Sequence, residues 1–370
     1  MALYGIKLLL LQSYTFSQTK KTIIMSIKIV QFLHSGQEYK RSEFIKTREK
    51  TIKPWNTGDH KRKFLHAKGA YIKGGKETKE NDIYFWGEWE PDSEVTKIQT
   101  KVKGHCPQYI HKPFLRLNES EQHIKGDKNS TPTNTDPFVF GDKGFFYSCC
   151  MQSRYKKLQQ LEPGSIILFG SNINHNKDNA YFALDTVFVV GDDKNKKNQY
   201  KLKYKINSDL KDLHDFAPDY YCDIMNFKGW KDSLNSPCNS NEKNDRKGSD
   251  CTSIKSKSEG CENGSDFTCY RGASYDNPIT CENDSTKKMY SFVPCKIGSK
   301  GENGFERVKL TMDSFQKIRG KEIISNNLNQ GVKYTEVTLK ESFAIWNKLR
   351  EIIHEDKEQG FKEAVRLDYK

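Results

Sequence analysis

No stretch of this 370-residue chain approaches the roughly 18 consecutive apolar residues that a membrane-spanning helix needs, so none is expected. Also missing are a Gly-x-x-x-x-Gly-Lys phosphate loop, a Gly-x-Ser-x-Gly elbow, a Gly-x-Gly-x-x-Gly turn and a His-Glu-x-x-His pair. Their absence removes the familiar routes to nucleotide hydrolysis, serine-based hydrolysis, dinucleotide binding and zinc proteolysis. Cys-x-x-Cys knuckles are absent too, because the cysteines from Cys238 to Cys295 are separated by 7 to 13 residues. His105, Cys106 and His111 are close in sequence but have no second pair of ligands beside them. Neither a metal nor a cofactor is expected on that spacing. Apolar residues make up only 35% of the chain.

That low average mixes two populations. Ser165–Ser171 and Tyr181–Val190 are densely apolar, whereas Asn235–Ser265 holds almost nothing to bury. Lys and Arg number 61 against 48 Asp and Glu, a net charge of +13. Such a surplus attracts polyanions and makes a nucleic acid or nucleotide the expected partner. Seven of the ten cysteines fall between Cys222 and Cys295, as in a secreted disulfide module. The weak export signal argues against secretion: Leu8–Leu11 follow a single Lys7 and lead to no small-residue cleavage site. A cytoplasmic location is therefore expected.

Residues 1–25 read as a disordered or mis-started extension, with Met25 opening directly into the first strand, Ile27–Leu33. An α+β sheet domain is expected over residues 26–231, mostly antiparallel and possibly barrel-like. Its further strands are Asp82–Trp86, Phe138–Phe140, Phe145–Cys149, Ser165–Gly170, Phe182–Val190 and Tyr200–Ile206. Short helices are expected at Arg154–Leu161, stopped by Pro163-Gly164, and at Ala217–Met225. Residues 232–288 read as a long, polar, Cys-rich and poorly ordered insertion. Residues 289–370 should add strands and an amphipathic helix packed on the main domain. That helix is the clearest element: Thr338 and Glu341 fit a capping box, and Phe343, Trp346, Leu349, Ile352 and Ile353 recur at helical spacing.

The candidate site gathers around three of the five tryptophans. Trp55, Trp86 and Trp89 fall within 35 residues, and indole faces stack on bases of any sequence. Glu88 beside them, or Asp185 inside an apolar strand, could accept hydrogen bonds from a base edge. His60, Lys61, Arg62 and Lys63 supply a planar fork and point charges suited to phosphate, and His60 also titrates near neutrality. The bland alternative is that the indoles pack in the core and the basic run is a solvated loop. Asp185 is a special case, since a buried acid there needs a partner such as Arg62.

Two local resemblances bear on the reading. Leu161-Glu162-Pro163-Gly164-Ser165-Ile166-Ile167-Leu168-Phe169, followed by Val187-Phe188-Val189-Val190, resembles PUA-like β-barrel domains of the ASCH and EVE kind over about Leu161–Val190, with Ser165 where those families usually carry Asp. The resemblance implies a reader of nucleic acid or modified bases that uses an aromatic pocket. Separately, Tyr270-Arg271-Gly272 followed by Ser291-Phe292 resembles ADP-ribosyltransferases of the Arg-Ser-Glu type. That would imply a nucleotide-processing enzyme using Arg271 with Glu336 or Glu341. Binding of nucleic acid or nucleotide is the leading expectation, with this transferase and a partner-binding structural protein as alternatives; catalysis itself is left open.

Overall fold

The structure, a computed structural model, describes residues 27–56, 60–100, 102–115, 134–148, 150–152, 154–192, 199–202, 216, 267–281, 284–311, 322–325, 328, 330–355 and 360–368. The N-terminal extension, the helix expected at Ala217–Met225 and the polar stretch before residue 267 lie outside the described residues. In chain order the strands are β1 (Ile27–Leu33), β2 (Ile45–Lys46), β3 (Thr51–Lys53), β4 (Lys63–Lys73), β5 (Lys76–Glu77), β6 (Asn81–Gly87), β7 (Ser93–Ile98), β8 (Tyr109–Pro113), β9 (Phe146–Tyr147) and β10 (Ile166–Ile173). They continue with β11 (Tyr181–Val189), β12 (Gln199–Leu202), β13 (Phe267–Arg271), β14 (Ile279–Cys281), β15 (Asp284–Met289), β16 (Val293–Ile297), β17 (Val308–Leu310), β18 (Gly331–Val337) and β19 (Lys362–Leu367). Helix α1 is the single turn Ser299–Glu302, and α2 runs from Leu339 to Glu355.

The chain is a mixed α+β protein with a barrel-like sheet. One five-stranded sheet has the order β17-β11-β10-β1-β18, and within it β1 and β10 are parallel. Its central strands are apolar at nearly every position because both faces are covered. Val30, Phe32, Ile167, Phe169 and Phe188 enter one core, while Ile29, Leu33, Ile166, Leu168 and Val187 enter the other. Leu161–Val190 contributes the β10–β11 hairpin to this sheet.

The barrel lies in the second sheet, where β4, β6, β16 and β19 close an antiparallel ring through β4–β6, β6–β16, β16–β19 and β19–β4 pairs. Leu65, Ala67, Ile83, Phe85, Val293, Cys295 and Ala364 from its strands share the core that holds Phe32 and Phe169. Closure brings β4 and β19 unusually near: a Cβ on Gly69 would lie 2.2 Å from the Arg366 carbonyl oxygen. Beyond the ring, β4 pairs in parallel with β8, and β7, β3 and β2 extend the sheet outward.

Residues 289–370 contribute strands to both large sheets. β16 and β19 complete the barrel, and β17 and β18 are the two edges of the first sheet. In the stretch from residue 267 onward, β13 pairs β12 and β9 and buries Cys269 and Tyr270, and β14–β15 is a hairpin. The segment expected as a helix at Arg154–Leu161 is a 3-10 turn over Lys156–Gln159. Helix α2 forms where the pattern placed it, with Thr338 N–H donating to Glu341 Oε2 at 2.6 Å and Glu341 N–H to Thr338 Oγ1 at 3.3 Å. Its apolar stripe (Phe343, Ile345, Trp346, Leu349, Ile353) packs into the second core. Among the described residues no helix is long and apolar enough to cross a membrane.

Candidate functional site

At the carboxyl end of β1 the chain leaves the sheet, and His34 N–H donates to the Gly170 carbonyl of the parallel neighbour β10 at 2.9 Å. The ends of parallel strands open a crevice because the following segments diverge. Into this region the start of β4 brings Arg62, the end of β6 brings Glu88, and the middle of β11 brings Asp185. Extended chain after β6 turns alternate side chains the same way. Glu88, Glu90 and Asp92 are all buried, with the ring of Trp89 inserted between them in sequence.

Glu88 is the centre. One carboxylate oxygen, Oε2, lies 2.8 Å from Arg62 Nη1 and 2.7 Å from His34 Nδ1. The other, Oε1, lies 3.0 Å from His60 Nδ1 and also accepts the Asp136 N–H at 3.4 Å. His60 Nδ1 is in turn 3.4 Å from Glu90 Oε1, and Tyr39 OH donates to Glu90 Oε2 at 3.4 Å. Arg62 Nε meets Asp185 Oδ2 at 2.8 Å, and Asp185 Oδ1 sits 3.5 Å from Arg307 Nη1. Arg307 lies over the Trp86 ring, 5.3 Å from its centroid, and is fixed by Ser171 Oγ and the Gly36 carbonyl. Each buried charge thus has opposite charge and hydrogen bonds beside it, without which burial would be prohibitive.

Protonation follows from this packing. Burial would raise the Glu88 carboxyl, but the His34 and His60 imidazoles outweigh it and hold the group well below the usual range. For His60 burial pulls downward, and the Glu88 and Glu90 carboxylates push its pKa up to about 11. Burial lowers the pKa of His34, against the pull of Glu88 and with the help of Arg62. Burial thus favours the neutral form at His34 and the carboxylates favour the charged form at His60, the two rings stacking at a centroid separation of 5.4 Å. His34 Nδ1 lies 2.7 Å from Glu88 Oε2, and its Nε2 lies 3.7 Å from the sulfur of Cys150.

Cys150 is half-buried and held at the backbone. Its N–H donates to Asp136 Oδ2 at 2.9 Å, and its carbonyl accepts from Tyr147 OH at 2.9 Å. Asp136 Oδ1 also takes the Ser148 N–H at 3.0 Å, so one carboxylate shapes the turn that carries the thiol. The arrangement places a thiol, an imidazole and a carboxylate in line, a set of groups that could serve as nucleophile, base and orienting acid.

The residues expected from sequence are placed as follows. Arg62, Glu88, Asp185 and His60 converge. The Trp86 indole is tied to this group through Arg307, but its Nε1–H donates to the Phe305 carbonyl at 2.7 Å and the ring is buried. Trp89 is fully buried with its Nε1–H on the Asp92 carbonyl, and Trp55 packs in the same core, its N–H bound by Asp92 Oδ1. The indoles thus face protein, because their rings fill the space between the two sheets. Lys63 is also buried, its Nζ donating to the Pro91 carbonyl at 2.9 Å, and Lys61 pairs with Glu43 at 2.9 Å. Arg62 is spent on two carboxylates rather than on a phosphate. Arg271 is packed against Phe146 and Phe216, while Glu336 faces Lys157 and Glu341 caps α2, so these three have separate partners.

His60 Nδ1, Glu88 and Glu90 oxygens lie within 4.8 Å of one another and form a set that a divalent cation could use. Sequence reasoning missed His34, Tyr39, Cys150 and Arg307 as members of this group. The available signals were the His that ends the first strand and the alternation of acids through Glu88-Trp89-Glu90-Pro91-Asp92. No family model, curated protein or solved structure matches the chain.

Proposed function

We propose that this protein is an enzyme that uses Cys150 as a nucleophile, with His34 as its base and Glu88 as the group that orients His34. The observation that carries the reading is the contiguous line from Cys150 Sγ to His34 Nε2 at 3.7 Å and from His34 Nδ1 to Glu88 Oε2 at 2.7 Å. In the reaction the thiol proton passes to His34 Nε2 as sulfur bonds to an electrophilic carbon, such as the carbonyl of an amide, ester or thioester. The carbon–leaving-group bond then breaks, and the leaving group takes the proton from His34. Water, deprotonated by the same imidazole, releases the acyl group and restores the thiol. Glu88 stays ionised throughout and stabilises the transient imidazolium.

Burial favours the unprotonated form of His34, the form that can accept a proton, and the partly exposed His60 stacks beside it. The test is alkylation of Cys150 by iodoacetamide in a Cys149→Ser background, followed by peptide mass mapping, with the half-buried Cys281 as internal reference. Cys150 should react on the order of ten times faster than Cys281 at pH 7, and His34→Ala should abolish the difference. Equal rates at the two cysteines, or an unchanged Cys150 rate in His34→Ala, would refute the assignment.

A further inference from the structure

The segment between Tyr39 and Trp55 projects from the second sheet as a basic arm. Six of its residues from Lys40 to Lys53 are Lys or Arg and only two, Glu43 and Glu49, are acidic. The arm opens with a 3-10 turn over Arg41–Glu43 and continues as the β2–β3 hairpin, whose tip is closed by the Thr47 N–H on the Lys50 carbonyl at 2.8 Å. Lys40, Arg41, Lys46, Arg48 and Lys50 are all exposed, whereas Lys53 is buried. Strand β2 pairs only with β3 and is the outer edge of its sheet. Ile45, at 43% exposure, is one of two exposed large hydrophobic residues among those described, and it sits between Arg41 and Lys46.

The acids nearby do not cancel this charge. Glu43 is taken by Lys61 and by the Lys40 N–H, and Glu94 is shared with Lys50 at 3.5 Å. The base of the arm runs into the candidate site: Tyr39 reaches Glu90, and the Lys61 that holds Glu43 follows directly on His60. A row of exposed cations with an apolar residue among them, on a chain of net charge +13, complements a repeating phosphate backbone whose bases lie to one side.

We propose that the Lys40–Lys50 arm is the surface on which this protein holds nucleic acid, through phosphate contacts from Arg41, Lys46 and Arg48. The assignment is separate from the thiol chemistry, and either one can fail without the other. Each phosphate contact releases condensed counterions, so removing charge must change both affinity and its salt dependence. The experiment measures binding of a fluorescein-labelled oligothymidylate by anisotropy over a range of salt concentrations. The full chain is compared with Arg41→Gln/Lys46→Gln/Arg48→Gln and with Lys300→Gln/Lys340→Gln/Lys362→Gln, which removes three exposed lysines elsewhere. Circular dichroism and thermal melting confirm that both variants fold. The arm variant should lose about tenfold or more in affinity, and the slope of log K against log salt should fall by roughly 2, with little change in the control. Absence of binding by the unaltered protein, or equal losses in the two variants, would overturn the proposal.

Discussion

Replacing Glu88 with glutamine exchanges one oxygen for nitrogen at the centre of the buried cluster and removes its negative charge. The carboxylate is 1% exposed and lies within 3.0 Å of Arg62, His34 and His60, so water cannot take its place. Removing one member of a buried ion pair costs about 3–5 kcal/mol, because the partner remains buried and uncompensated. Arg62 keeps Asp185 and His60 keeps Glu90, which places Glu88→Gln near the lower end, at about 3 kcal/mol. For a chain of this size that loss lowers the melting temperature by on the order of 4 °C. Urea unfolding is readily followed by tryptophan fluorescence, since Trp55, Trp86, Trp89 and Trp346 are all buried.

The pH dependence supplies a second readout. His60 binds its proton more tightly in the folded protein than in the unfolded chain, with a pKa raised to about 11 from 6.5. Its stabilisation is therefore fully present below pH 6.5 and is lost as pH rises from there toward 11. One fully linked proton would remove about 1.4 kcal/mol per pH unit. Because the His60 side chain is 32% exposed, solvent screening reduces this, and a loss of roughly 1–2 kcal/mol between pH 7 and 9 is expected. In Glu88→Gln the larger of the two attractions on His60 is gone, so this decline should flatten. A variant within about 1 kcal/mol of the parent, with the same slope between pH 7 and 9, would refute the placement of Glu88 at the centre of the network.

Glu38 should show the same direction in a more acidic window. Burial pushes its pKa up to about 7, against the pull of the Gln108 and Tyr109 N–H groups. Its folded form holds a proton that the unfolded chain releases near pH 4.5, so it favours folding at low pH and that contribution fades between pH 4.5 and 7. Glu38→Gln should gain roughly 1 kcal/mol at pH 7.5 and nothing at pH 4.5, by denaturant titration at both values; a loss at pH 7.5 would contradict it. Glu363 is buried on β19 and accepts hydrogen bonds from Tyr290, Arg350 and His354, each at 2.6 Å. Glu363→Ala should cost about 3 kcal/mol and raise hydrogen exchange in the second half of α2, and unchanged exchange there would show that this anchor is dispensable.

What could be read from the sequence followed the density of apolar residues. β1, β10 and β11 stood out because both of their faces are covered, and α2 because its cap and its stripe agree. β4 did not, although it touches more strands than any other. Lys63-Phe64-Leu65-His66-Ala67-Lys68-Gly69 carries four polar or conformationally loose residues, and only the tertiary surroundings bury Lys63 or demand the glycine. β18 and β19 are short and rich in Lys, Glu and Arg, so their strand character comes from their partners rather than from a pattern of their own. In the site, residue type offered Arg62 as the partner that a buried Asp185 would need, and that pair is present, whereas Glu88 was read for a base edge and His60 and Arg62 for phosphate. It did not join Glu88 to Arg62, His34 or His60. Cys150 and His34 are 116 residues apart in the chain, and no local pattern announces a contact made by folding.

Ring closure between β4 and β19 has a consequence for biosynthesis. Gly69 and Leu367 pair across nearly 300 residues of chain, so during translation the first two staves of the barrel wait for the last one. At about 5–20 residues per second the interval is roughly 15–60 s. Through that time the unsatisfied edges of β4 and β6 are open to chaperones or to the wrong neighbour, and a nascent chain stalled before residue 362 should be the aggregation-prone form of this protein.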